Sequence, residues 1–210
     1  MSTELRLNRV EVRVLGALLE KEAATPDYYP LSLNALCAAC NQKSNREPVM
    51  SLEEDSVLAA LDSLRAKGLA LVISGADHRV PKYAHRLGEV FNFDRREQGV
   101  LCLLMLRGAQ TAGELRGRTE RLYAFDDLAG VEATLHRLME RTPPLVAKLA
   151  RQAGEKEPRF AHLLAGEVEV AGPPAALAER PSPLEERITR LEAEVAELRR
   201  QFEEFRRSFE

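Results

Sequence analysis

The chain of 210 residues contains no tryptophan, and only 5% of it is aromatic. A core without large rings has to be assembled from leucine, valine and alanine, which favours small helical units over a large β-sandwich. Three cysteines, an odd number, suit a reducing compartment better than a disulfide framework. No apolar run approaches the ~18 residues of a membrane span, and the start Met1-Ser2-Thr3-Glu4-Leu5-Arg6 lacks the apolar stretch of a signal peptide. These absences set the expectation of a soluble, cytoplasmic protein with no membrane role.

An excess of either charge is missing too. The net charge is −3. Residues 1–88 carry 11 Lys+Arg against 11 Asp+Glu, residues 89–170 carry 12 against 13, and residues 171–210 carry 7 against 9. Any nucleic-acid surface therefore has to be a local patch on a near-neutral body. The sequence also lacks a glycine-rich phosphate loop, a nucleophile elbow and an H-E-x-x-H pair. Its carboxylates read as solvated helix faces, so the expectation is a protein that is not an enzyme and needs no cofactor. Cys37-Ala38-Ala39-Cys40 has C-x-x-C spacing, but it lies within a predicted helix and no second cysteine pair follows. A zinc site needs four ligands, so the thiols read as buried packing and no metal site is expected.

What the chain does contain is a seven-residue phrase used twice. Pro81-Lys82-Tyr83-Ala84-His85-Arg86-Leu87 returns as Pro158-Arg159-Phe160-Ala161-His162-Leu163-Leu164. A repeat fixes architecture that local propensity leaves open. Upstream, Leu15 to Thr25 matches Leu101 to Thr111, each a helix with its apolar stripe, and Gly108 marks the stop of the second. Ser32 and Thr111 are placed to cap a short second helix. The first copy carries seven extra residues before this cap, with a short strand expected at Tyr28 to Leu31. Ser51-Leu52-Glu53-Glu54 reads as a capping box opening the third helix, while Asp126 or Asp127 caps its counterpart. A strand pair follows in each copy: Leu69 to Ile73 with Val80 to Leu87, and Leu145 to Arg151 with Arg159 to Leu164. Pro81 and Pro158 mark the returning strands as edges, because proline cannot donate to a ladder.

Helix, helix, helix, hairpin is the order of a winged helix-turn-helix. The expected fold is mainly α with small β-hairpin wings (α+β): winged-helix domains at 1–88 and 89–170, a linker at 171–183 and a C-terminal coiled-coil helix at 184–210. In that tail Leu184, Ile188, Leu191, Val195, Leu198, Phe202, Phe205 and Phe209 step alternately by four and three. β-Branched residues at a with leucine at d favour a parallel two-stranded coil. Arg187 then faces Glu192, and Glu194 faces Arg199, across a homodimer.

The phrase Cys40 to Met50, with Asn45-Arg46-Glu47-Pro48 at its centre, together with Leu106-Arg107-Gly108-Ala109-Gln110-Thr111-Ala112-Gly113-Glu114-Leu115-Arg116, resembles the YceH-like family of bacterial proteins. The resemblance covers about residues 5–170. It implies tandem winged helices with a variable C-terminal helix, and it carries over no catalytic or binding residues.

A winged helix suggests DNA, with its third helix in the major groove. Here that helix begins Glu53, Glu54, Asp55 and continues with Asp62, and its counterpart carries Asp126, Asp127 and Glu132; these would repel phosphates. The candidate contacts lie elsewhere: Lys43 and Arg46, with the polar Asn45, in the loop between helices 2 and 3, Arg79, Lys82 and Arg86 on the first wing, and Arg107, Arg116, Arg118 and Arg121 on or near the second copy's helix 2. The bland reading of each is a solvated cation or, for Arg46 and Glu47, a brace for the loop. His85 and His162 read as packed against strand neighbours. Two functions stay open: a DNA-binding, transcription-regulator-like dimer, or a protein-interaction module whose acidic third helices dock a polypeptide.

Overall fold

A computed structural model of the chain describes residues 5–74, 80–151 and 155–166. The candidate Arg79 and the whole heptad seam lie outside the described residues. Residues Met1–Val170 belong to one compact unit. The described elements are α1 (Arg9–Ala24), a 3-10 turn (Pro26–Tyr28), β1 (Leu31–Ser32), α2 (Leu33–Cys40), α3 (Glu54–Ala66), β2 (Ala70–Ile73), β3 (Lys82–His85) and α4 (Leu87–Phe91). The second half supplies α5 (Arg95–Arg107), α6 (Ala112–Thr119), α7 (Leu128–Met139), β4 (Val146–Lys148) and β5 (Phe160–His162). The class is α+β, and helix, helix, helix, hairpin occurs twice.

Helix starts show why the halves fold alike. Asn8 caps α1 and Asp94 caps α5, each in a reciprocal box with a glutamate three residues on, Glu11 and Glu97. Both glutamates are 1% exposed, and each carries a second bond to a cation beyond the third helix of its own half. Lys67 Nζ lies 2.6 Å from Glu11, and Arg141 Nη2 lies 3.0 Å from Glu97. One buried carboxylate thus caps the first helix and fastens the third to it. Thr111 and Glu114 form a third box on α6, while Ser32 and Asp127 cap α2 and α7. The expected box at Ser51 is not formed: α3 begins at Glu54 with Glu53 as its N-cap. Carboxylates Glu54 and Asp55 in the first turn suit the positive end of the helix dipole instead.

The sheets correct two expectations. The first has the order β1-β3-β2, all antiparallel, so β3 is a central strand and not an edge. Pro81 is tolerated because it precedes the first ladder residue, Lys82. Similarly, Pro158 precedes β5, which begins at Phe160. The short strand expected at Tyr28 to Leu31 is instead Leu31–Ser32, after the 3-10 turn Pro26–Tyr28, and the second half has a single isolated bridge in its place. Gln110 and Phe160 exchange both backbone bonds, at 3.0 and 2.8 Å, and take the places of Leu31 and Tyr83. The hydrophobic ring of the repeated phrase is buried both times, Tyr83 at 7% and Phe160 at 8% exposure. That is what the repetition preserves.

The two halves share one apolar core through α1 and α5, the most extensively contacting pair of elements. Val14, Leu15 and Leu18 of α1 and Val100, Leu101 and Leu104 of α5 are fully buried. Gly16 sets the spacing: a Cβ there would stand 3.0 Å from Leu106 Cδ2 and 3.2 Å from Met105 Cβ. The halves are also tied outside this seam. Leu7 donates its N–H to the Leu164 carbonyl at 2.8 Å, closing the start of the first half onto the end of the second. Arg141 donates to the Phe91 carbonyl at 2.7 Å and lies over the Phe93 ring, clamping the connection. Enlarging Gly16 to valine is expected to lower unfolding stability by about 1–3 kcal/mol through overpacking, read by urea denaturation. An unchanged midpoint would contradict the close α1–α5 approach.

Candidate functional site

The loop from Asn41 to Glu53 is held by buried arginines. Arg46 is fully buried at its side chain and makes a bidentate pair with Glu20, at 3.1 and 2.6 Å. Its remaining donors reach the Ala39 carbonyl, the Asn45 carbonyl and Gln42 Oε1. The planar guanidinium suits this task because its donors fork in fixed directions. Arg13, only 2% exposed, donates to the Cys40 carbonyl at 3.0 Å and the Pro48 carbonyl at 2.6 Å. Asn41 closes the loop by exchanging two bonds with Leu52. Arg46 therefore presents no donor to a nucleic acid, and its place among the candidate contacts is corrected: the bracing reading describes it.

The braced loop is pressed against the second half. Glu47 donates its N–H to the Leu106 carbonyl at 2.8 Å, and Asn45, with φ 59°, accepts from Arg107 at 2.8 Å. Between the loop, the end of α1, α5 and α6 opens a groove of about 1050 Å³. Five sequence candidates meet there: Lys43 and Asn45 from the first half, Arg107, Arg118 and Arg121 from the second. Lys21 joins them, giving five cations against two carboxylates, Glu20 and Glu120. Lys21 lies 3.3 Å from Glu20 and Arg118 lies 3.2 Å from Glu114, so the positive excess of the lining rests on Lys43, Arg107 and Arg121. Burial and the neighbouring Arg118 both pull Arg107 below its ordinary value, as expected where cations crowd. Lys82 and Arg116 stand apart from the groove: Lys82 lies in the first sheet, and Arg116 bonds the Asp126 carbonyl at 2.9 Å.

Lys21 was not among the candidates, although a signal for it existed. The alignment of Leu15 to Thr25 with Leu101 to Thr111 sets Lys21 opposite Arg107, so both copies place a cation in the last turn of the first helix. Buried Gln110 offered another signal. It accepts from Arg118 at 2.8 Å while donating to the Leu103 carbonyl, and so aims that cation along the groove.

The remaining sites follow the expectations of packing. Glu53, Glu54, Asp55 and Asp62 are exposed along α3, as are Asp126, Asp127 and Glu132 at α7. Cys40 is buried, which pushes its thiol up to about 12, and Cys37 donates to the Leu52 carbonyl. Among the described residues no cluster of three metal-ligating side chains occurs. The matched histidines diverge: His85 Nε2 lies 2.8 Å from Glu22, whereas burial pushes His162 down to about 4 and keeps it neutral.

These features define a duplicated α+β protein whose two halves share a core and enclose a basic groove. A family model described as "Protein of unknown function, DUF480" matches residues 7–155, and the chain belongs to this family. It is similar to UPF0502 proteins of Solibacter usitatus (62% identical over 176 residues, 83% of this chain and 84% of the relative) and Geobacter sulfurreducens (60% over 169 residues, 80% and 76%). Another from Koribacter versatilis is 58% identical over 160 residues, covering 76% and 74%.

The Glu20–Arg46 pair yields a stability test. Burial pushes Glu20 up, but the bond and charge of Arg46 outweigh it and hold the carboxyl below its ordinary value of 4.5. A depressed carboxylate stabilises the fold above its unfolded pKa, and that contribution is lost as pH falls through the folded value. Glu20→Gln is expected to cost about 3 kcal/mol at neutral pH by stranding the buried guanidinium. The deficit relative to the parent should narrow below about pH 4.5 in urea titrations. A deficit independent of pH would show that the pair does not carry it.

Proposed function

We propose that the chain is a non-enzymatic, cytoplasmic tandem winged-helix protein of the YceH-like kind that binds duplex DNA through the basic groove. The observation that carries this reading is the convergence of Lys21, Lys43, Arg107, Arg118 and Arg121 on one surface of a protein with net charge −3. Cations gathered from both repeats can follow a phosphate backbone, and their release of counterions supplies affinity without base readout. The third helices take no part in this mode, because their exposed carboxylates repel phosphates at short range. The heptad seam from Leu184 to Phe209 pairs two chains, which doubles the grooves available to one duplex. Among the described residues no helix is long and apolar enough to cross a membrane.

A titration of the full chain with mixed-sequence duplex DNA at low and moderate salt tests this. The double substitution Lys43→Glu, Arg121→Glu is expected to weaken binding at least about tenfold and to reduce the log–log salt slope by about 2, roughly one per lost phosphate contact. Asp62→Ala is expected to change little. Deleting residues 184–210 should halve the mass by light scattering and weaken binding further. The acidic faces of α3 and α7 support a second reading, a docking surface for a basic polypeptide. Absence of DNA binding even at low salt would leave that reading and remove the first.

A further inference from the structure

On another face of the α1–α5 seam lies a second cavity, of about 400 Å³, outside the basic groove. Leu19 and Glu22 of α1, Arg95, Gln98 and Cys102 of α5, and Leu122 line it. We propose that this cavity binds a small zwitterion of the amino-acid type, with its ammonium on Glu22, its carboxylate on Arg95 and an apolar side chain against Leu19 and Leu122. The proposal goes beyond the DNA-binding reading and does not depend on it.

The principal observation is an ion pair that is not made. Several buried acids in this fold close directly on a cation, as in Glu11 with Lys67, Glu20 with Arg46 and Glu97 with Arg141. Glu22 and Arg95 share one cavity, yet Glu22 pairs with His85, and Arg95 has no ion-pair partner among the described residues. An acid and a base that line one small cavity without pairing with each other are complementary to a ligand that carries both charges. A simple anion or cation would satisfy only one of them.

The carboxylate is held in place for this role. His85 Nδ1 accepts the Leu87 N–H at 3.2 Å, and its Nε2 lies 2.8 Å from Glu22 Oε2. That contact holds the Glu22 carboxyl below its ordinary value and engages Oε2, which leaves Oε1 for a ligand ammonium. Gln98 spends its amide N–H on the Phe93 carbonyl at 3.2 Å, so its own carbonyl remains to accept a second ammonium proton. Leu19, Cys102 and Leu122 make the rest of the wall apolar. The volume lies at the low end of the range for small-molecule sites, which suits a small ligand. Because α1 and α5 belong to different halves, a bound zwitterion would bridge the two repeats.

The experiment is thermal unfolding and isothermal titration of the full chain against free amino acids. Matched amines lacking the carboxylate and N-acetyl derivatives lacking the ammonium run in parallel. At least one apolar amino acid is expected to raise the melting temperature in a concentration-dependent way, since a ligand of the native state stabilises it by mass action. Each analogue should lose at least about tenfold in affinity, the scale of one charge-assisted bond. Arg95→Gln alters an exposed side chain and should fold normally by circular dichroism while losing binding to the same degree. Glu22→Gln also releases His85, so Arg95→Gln carries the decision. No response to any amino acid, or a response that survives Arg95→Gln or loss of either charged group, would overturn the proposal.

Discussion

The contact between α1 and α5 is the constraint on which everything else in the described chain depends. Gly16 lets the two helices approach until a Cβ would touch Leu106 and Met105, and that approach merges two small cores into one. A single half of about 80 residues would bury too little apolar surface for comfortable stability. Joined, each half covers the first helix of the other. The same approach brings the loop after α2 against α5, so that Glu47 and Asn45 can bond Leu106 and Arg107. The basic groove and the smaller cavity are both consequences of this seam, since each is lined from α1 on one side and α5 on the other.

Charge is managed along the seam by burying carboxylates that do two jobs. Glu11 and Glu97 cap their own helices and anchor the segment after the third helix. Glu20 neutralises Arg46 and, with it, fixes the loop that carries Lys43. Of the groove cations, Lys43, Arg107 and Arg121 have no ion-pair partner among the described residues, whereas Lys21 and Arg118 pair with Glu20 and Glu114. A near-neutral sequence can thus present a positive surface because its acids are spent internally, and the charge balance alone does not reveal this.

Much of the fold was legible in the sequence because its signals are local. The stripes of α1 and α5, the caps at Ser32, Thr111 and Asp127, and the stop at Gly108 all depend on neighbours within one helical turn. Ser51 misled because S-x-x-E spacing permits a box but does not fix where the helix starts. The central position of β3 depends on β1, which arrives from about fifty residues earlier in the chain. The site was legible only in part for the same reason. Lys43, Arg118 and Arg121 could be picked out as candidate cations, but their meeting is tertiary. Arg46 looked identical to them in sequence. Only its partner Glu20, 26 positions away, decides that it is a brace.

Hydrogen exchange of the full chain with and without duplex DNA tests most directly the claim that the groove, and not the third helices, is the binding surface. The account predicts added protection in residues 41–46 and 116–122, the groove-lining segments, with Glu54–Ala66 and Leu128–Met139 unchanged. Protection concentrated on those two helices, with the groove segments unaffected, would contradict it.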